Sequence, residues 1–179
     1  MADKRIEFIE SKIAVHHDFP IPGVIFRDIF GVFGDPEGLK VLLEVVEEKA
    51  LSLKGKVDVV VGLDSRGFLI GPSMAKALGV PFVPVFVKKG KLPPKVISLS
   101  YDLEYGSATI EIQESSIKKG ARVLLVDDLL ATGGTLESSM KLIDKIGAVT
   151  SEIFVLIELK GLGGAKRLNH PVESLISYD

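Results

Sequence analysis

Residues 122–135, RVLLVDDLLATGGT, constrain this chain more than any other stretch. Val123 to Val126 form an apolar run too short for a buried helix and right for a parallel strand covered on both faces. The strand ends on Asp127 and Asp128. Adjacent carboxylates there repel each other, so a structural role alone leaves them unexplained and a ligand accounts for them. Behind them stand Ala131, Thr132, Gly133, Gly134 and Thr135. Backbone N–H groups of such small residues approach an anion closely, and the helix that follows favours negative charge at its N-terminus. A strand, a turn and a Thr-capped helix would also describe these residues. The order of apolar strand, acidic pair, threonines and glycines is what favours a phosphate cradle.

At 179 residues the chain suits one domain, and 46% hydrophobic with 26% charged residues excludes a disordered chain. A net charge of -2 argues against a nucleic-acid surface, which needs a basic surplus. With no cysteine there is no disulfide, thiol nucleophile or thiolate metal site, which fits a cytoplasmic protein. No apolar run approaches the roughly 18 residues of a membrane span. Asp3, Glu7 and Glu10 also stand where a signal peptide would be apolar.

In chain order, Ile6, Ile9 and Ile13 predict an amphipathic helix of about three turns ending near His16 and His17. Adjacent histidines on a helix diverge by roughly 100°, which disfavours a shared metal. Residues 19–29, FPIPGVIFRDI, combine prolines and Gly23 with Val24, Ile25 and Phe26, predicting an irregular apolar loop that needs a packing partner or a ligand. Asp35 and Pro36 predict a helix start, with Leu39, Leu42, Leu43 and Val46 on one face. A buried strand at 57–63 delivers Asp64, Ser65, Arg66 and Gly67, which suits an anion contact as well as an ordinary turn. A helix through Leu78 and a strand at 81–87 follow.

Residues 88–113 change character. Lys88, Lys89, Lys91 and Lys95 surround Gly90, Pro93 and Pro94, and alternating segments about Gly106 predict a hairpin that departs from the α/β core. Such lysines suit a solvated surface, or a lid over a polyanionic substrate. After the central motif come a helix at 136–146 ended by Gly147, a strand at 151–159, a short basic helix or loop at 161–168, and a last apolar strand suited to a sheet edge. Strands alternating with helices predict a mostly parallel, doubly wound α/β sheet. No P-loop, dinucleotide fingerprint, zinc-hydrolase or Ser-triad motif is present.

The segments FPIPGVIFRDI, GLDSRGF, KKGKLP, SYDLEYG and VDDLLATGGT, in that order, resemble the adenine branch of the type I phosphoribosyltransferase family over essentially the whole chain. The resemblance implies that family's α/β fold as a single domain over 1–179, with a small hood from about 1–34 plus C-terminal elements and a flexible flap at about 88–113. It implies transfer of the phosphoribosyl group of 5-phosphoribosyl 1-pyrophosphate to adenine, giving AMP and pyrophosphate, by a cytoplasmic homodimer. Magnesium would be held mainly by substrate oxygens and water, without dedicated protein ligands.

By the same resemblance, Ala131 to Thr135 hold the 5′-phosphate, and Asp127 and Asp128 accept from the ribose hydroxyls. Arg66, Lys88 and Lys91 meet pyrophosphate, with Tyr105 also contacting donor or product. Phe26 covers the adenine ring, Ile25 and Arg27 contact its edge through backbone groups, and Leu159 lies opposite. Glu104 serves as the catalytic acid–base group near N7. Two other classes share parts of this pattern. A regulator that binds the same donor would need a nucleic-acid-binding element, and a phosphoacceptor receiver domain would leave the glycine-threonine cradle without a role.

Overall fold

Asp3 opens the first helix as its cap: its Oδ1 accepts from the Arg5 backbone N–H at 2.9 Å, satisfying one of the donors that every helix start leaves unpaired. The computed structural model describes residues 3–93, 95–103 and 106–179, which fall into two compact units, Met1–Glu48 and Lys49–Asp179. The first contains α1 (Lys4–Ser11), β1 (Ala14–His17), β2 (Ile25–Asp28), α2 (Phe30–Phe33) and the start of α3 (Pro36–Ser52). Asp35 accepts from the Glu37 N–H at 3.1 Å and Pro36 is the first residue of α3, as the sequence predicts. Leu42 and Val46 of α3 are buried.

Two expectations in this unit are corrected. Helix α1 stops at Ser11, and His16 and His17 stand on β1, paired antiparallel with β2 from Ala14–Asp28 to His17–Ile25. The segment at 19–29 is also not wholly irregular. Its prolines confine the turn to the first half, while Ile25 and Phe26, β-branched and aromatic, take the extended backbone such residues favour.

The second unit contains β3 (Val59–Leu63), α4 (Gly67–Leu78), β4 (Phe82–Val85), β5 (Val96–Leu103), β6 (Gly106–Gln113), β7 (Arg122–Leu130), α5 (Gly134–Ile146), β8 (Val149–Leu159), a 3₁₀ turn (Lys160–Leu162), α6 (Gly164–Leu168) and β9 (Glu173–Tyr178). Five strands form a sheet in the order β4-β3-β7-β8-β9, and every pair in it is parallel. All five residues of β3 are buried, which explains its unbroken Val-rich sequence. The last strand lies at the sheet edge, as expected.

Connections leave the central pair in opposite directions: β3 passes through α4 to β4 on one side, and β7 passes through α5 to β8 on the other. A crevice opens outside the carboxyl ends of strands at such a switch point. At the amino ends, Arg122 fixes the pair by donating to Asp58 at 2.8–3.0 Å and to the Gly55 carbonyl at 2.7 Å.

The hairpin of β5 and β6 is antiparallel, with Val96 opposite Gln113 and Leu103 opposite Gly106. Its base is not an excursion from the core, contrary to the sequence-based expectation. Ile110 and Ile112 are 0% exposed and join the main apolar cluster, with Ile97, Leu99 and Tyr101 packed against it. Burying such side chains stabilises by about 1.5–3 kcal/mol each, enough to anchor the hairpin base.

Candidate active site

The acidic pair lies where β7 outruns its neighbour. The last residue of β7 paired with β3 is Val126, opposite Gly62, while pairing with β8 continues through Asp127–Val155 to Leu130–Glu158. The strand therefore does not end at the aspartates, as the sequence reading had it, but continues through Leu130 beside the β3–α4 loop. Alternation sends the two side chains to opposite faces. Asp128 is buried, and its Oδ2 accepts from Arg66 Nε; Asp127 is half-buried, and its Oδ1 accepts from the Asp128 N–H at 2.9 Å.

Loss of solvation, and then the neighbouring Asp128 carboxylate, push the Asp127 carboxyl well above its ordinary value. Arg66 opposes this only weakly because its contact is with the partner acid. A guanidinium has five donors, so Arg66 can hold Asp128 and still present N–H groups to an anion.

The two loops line one cleft of about 320 Å³, whose walls include Asp64, Ser65 and Arg66 from the first and Ala131 to Leu136 from the second. They meet because β3 and β7 are neighbours, and β7 continues past the end of β3 beside the β3–α4 loop. Helix α5 begins at Gly134, two residues earlier than the sequence reading, so the N–H groups of its first turn face the cradle. Gly133 has φ +81, and a Cβ there would lie 2.9 Å from the Gly164 carbonyl oxygen. A Cβ on Gly164 would lie 2.3 Å from the Ala131 carbonyl oxygen. Backbone packs on backbone behind the cradle, so the left-handed turn and α6 already require a glycine at 133. The Thr135 hydroxyl lies 3.3 Å from the Tyr101 hydroxyl, linking cradle and hairpin base.

Of the other expected residues, Lys88 and Lys91 are exposed on the segment after β4. Val87, next to Lys88, lines the cleft and donates its N–H to Asp64 Oδ2 at 3.3 Å. Lys91 is not among the lining residues. Ile25, Phe26 and Arg27 lie on β2 of the first unit, where Phe26 meets Phe19 edge to face at 5.1 Å. Leu159 ends β8 in the second unit. Glu104 and Tyr105 lie outside the described residues.

Asp64 and Ser65, in the loop read as a possible anion contact, line the cleft, as do Val87, Leu129 and Leu136, to which the sequence assigns no site role. Position next to Arg66 and the acidic pair was the available signal. A second cavity of about 480 Å³ opens at the amino ends of β3 and β7, lined by Asp58 and residues 116–121. It is larger but has no acidic pair or helix start, so the chemistry favours the smaller cleft.

Known proteins share the sequence and fold of this chain. The family profile "Phosphoribosyl transferase domain" matches residues 35–177. An adenine phosphoribosyltransferase of Drosophila pseudoobscura pseudoobscura is 45% identical over 99% of this chain and 97% of its own length. The crystal structure of adenine phosphoribosyltransferase from Thermoanaerobacter pseudethanolicus superposes with a TM-score of 0.89 at 42% identity, covering 97% of this chain and 99% of that one. The Saccharomyces cerevisiae adenine phosphoribosyltransferase, complexed with D-2,5-dideoxy-2,5-imino-altritol 1,6-bisphosphate and adenine, gives 0.90 at 37% identity, covering 96% and 98%.

Proposed function

This chain belongs to the adenine phosphoribosyltransferase family, and from that premise we infer that it transfers the phosphoribosyl group of 5-phosphoribosyl 1-pyrophosphate to adenine, yielding AMP and pyrophosphate. One observation carries the reading: an acidic pair on β7 runs into a glycine-threonine cradle at a helix start, with an arginine loop from the adjacent strand beside it. The cradle suits the 5′-phosphate, held by backbone N–H groups and the Thr132 and Thr135 hydroxyls. Asp127 and Asp128 suit the ribose hydroxyls.

As the bond from C1′ to pyrophosphate breaks and the bond to adenine N9 forms, positive charge develops on the sugar. Two carboxylates favour that charge. Asp127, whose own charge is poorly compensated, gains most from it. Arg66 and Lys88 suit the departing pyrophosphate, with Lys91 and Tyr105 further along the flap. Adenine recognition is assigned to Phe26, Ile25, Arg27 and Leu159 as the family resemblance implies, and proton exchange near N7 to Glu104.

No group of three or more His, Asp or Glu side chains among the described residues is arranged to hold a metal. Magnesium keeps most of its shell as water and substrate oxygens, so it needs no dedicated set of protein ligands of that kind. Magnesium bound in that way would neutralise charge on the pyrophosphate. The single-domain organisation, with a hood at about 1–34 and a flap at about 88–113, belongs to the same reading. So does a cytoplasmic homodimer, for which the exposed Val15, Phe19, Ile21 and Phe30 offer apolar surface. No helix among the described residues is long and apolar enough to cross a membrane.

Steady-state assays with adenine, hypoxanthine, guanine and orotate, each with the phosphoribosyl donor and magnesium, test the reading. Turnover with adenine alone is expected. Equal use of hypoxanthine would show that the base assignment around Phe26 is wrong.

A further inference from the structure

Glu111 and Asp128 are the buried acids among the described residues, and the chemistry above uses only Asp128. Glu111 alternates with Ile110 and Ile112 on β6, so its side chain leaves the face that joins the apolar cluster. That other face is covered by the segment after β4. Glu111 Oε2 accepts from the Gly90 N–H at 2.7 Å, and Oε1 accepts from Ser98 Oγ at 3.2 Å. Its backbone pairs in both directions with Phe86, at 3.0 and 2.8 Å.

One residue thus grips residues 86–90 at both ends. Between the two grips lie Val87, whose N–H reaches Asp64 in the cleft, and Lys88 and Lys89. Gly90, at φ +79, turns the chain so that its N–H points back to the carboxylate.

We propose that Glu111 is a positioning residue: it fixes the Lys88-bearing segment at the edge of the cleft and thereby sets affinity for the pyrophosphate end of the donor. The proposal rests on the assignment of Lys88 to pyrophosphate made above. A buried carboxylate holds an N–H more strongly than a neutral acceptor does. A segment ordered in advance loses less freedom when its lysines meet an anion. The alternating pattern of residues 108–113 would place Glu111 in solvent, whereas the return of residues 86–90 beside β6 and the Ser98 hydroxyl hold it buried.

Binding of magnesium pyrophosphate to the full chain, measured by calorimetry, tests the proposal together with steady-state kinetics. Glu111→Asp keeps the charge and withdraws the acceptor by one methylene. It is expected to weaken pyrophosphate binding about tenfold and to raise KM for the donor by a similar factor, leaving kcat and KM for adenine near wild type. Glu111→Gln is expected to bind pyrophosphate more tightly than Glu111→Asp but less tightly than wild type, because its amide oxygen reaches Gly90 and its NH₂ can donate to Ser98 while the charge is lost. The double variant Glu111→Asp with Lys88→Ala is expected to bind no more weakly than Lys88→Ala alone.

If Lys88→Ala is impaired but Glu111→Asp binds normally, the positioning role is overturned and the assignment of the cleft stands. Fully additive losses in the double variant would show that Glu111 does not act through Lys88 and would also overturn the role. Native pyrophosphate affinity in Lys88→Ala would overturn both the lysine assignment and the proposal. A lowered Tm with unchanged donor affinity in Glu111→Asp would reduce Glu111 to a structural part.

Discussion

Asp127 couples function and stability with opposite signs. Its carboxyl is raised above the ordinary 3.8 first by loss of solvation and then by Asp128. The folded state therefore binds a proton more tightly than the unfolded chain. The resulting stabilisation is full below pH 3.8 and is lost as pH rises through the higher folded value, above which the Asp127 carboxylate opposes folding. Asp127→Asn is expected to raise Tm at pH 7 while lowering turnover about a hundredfold, the scale found when one preorganised electrostatic contact is removed. Melting and kinetics on the same preparation check both signs, and unchanged turnover would remove Asp127 from the site. Gly133 and Gly164 make a second residue-scale case. Gly133→Ala is expected to cost about 1–2 kcal/mol in left-handed strain alone, or roughly 2–8 °C in Tm. Gly164→Ala, whose Cβ would strike the Ala131 carbonyl, is expected to weaken donor binding from a position outside the cleft lining. Native donor affinity in Gly164→Ala, measured by calorimetry, would contradict that link.

At the scale of elements, the apolar run of β7, its acids and its cradle were legible because strand, loop and helix start are contiguous in sequence. The extension of β7 to Leu130 was not, since it depends on pairing with β8 after β3 has ended. Strand β1 was missed for a related reason: His16 and His17 have no strong strand preference and are held extended by pairing with β2. The hairpin was found, but the burial of Ile110 and Ile112 and the cover over Glu111 come from long-range packing that local alternation does not report. Glu104, outside the described residues, is assigned to proton exchange near N7. Glu104→Leu is expected to lower turnover about 10²–10⁴-fold while leaving donor affinity near native, because the donor is assigned to the cradle and the arginine loop. Near-native turnover would return Glu104 to the solvated surface.

For the molecule as a whole, the topology explains why the two loops form one site. Crossovers leave β3 and β7 in opposite directions, and the crevice between them receives the arginine loop from one strand and the acids and cradle from the other. The larger cavity at the amino ends of the same strands offers a clear alternative location. Hydrogen exchange followed peptide by peptide, with and without 5-phosphoribosyl 1-pyrophosphate and magnesium, distinguishes them. The expected result is slowed exchange at 64–67, 86–91 and 131–137, with no change at 116–121. Protection confined to 116–121, or its absence from 131–137, would contradict the assignment of the donor to the β3–β7 cleft.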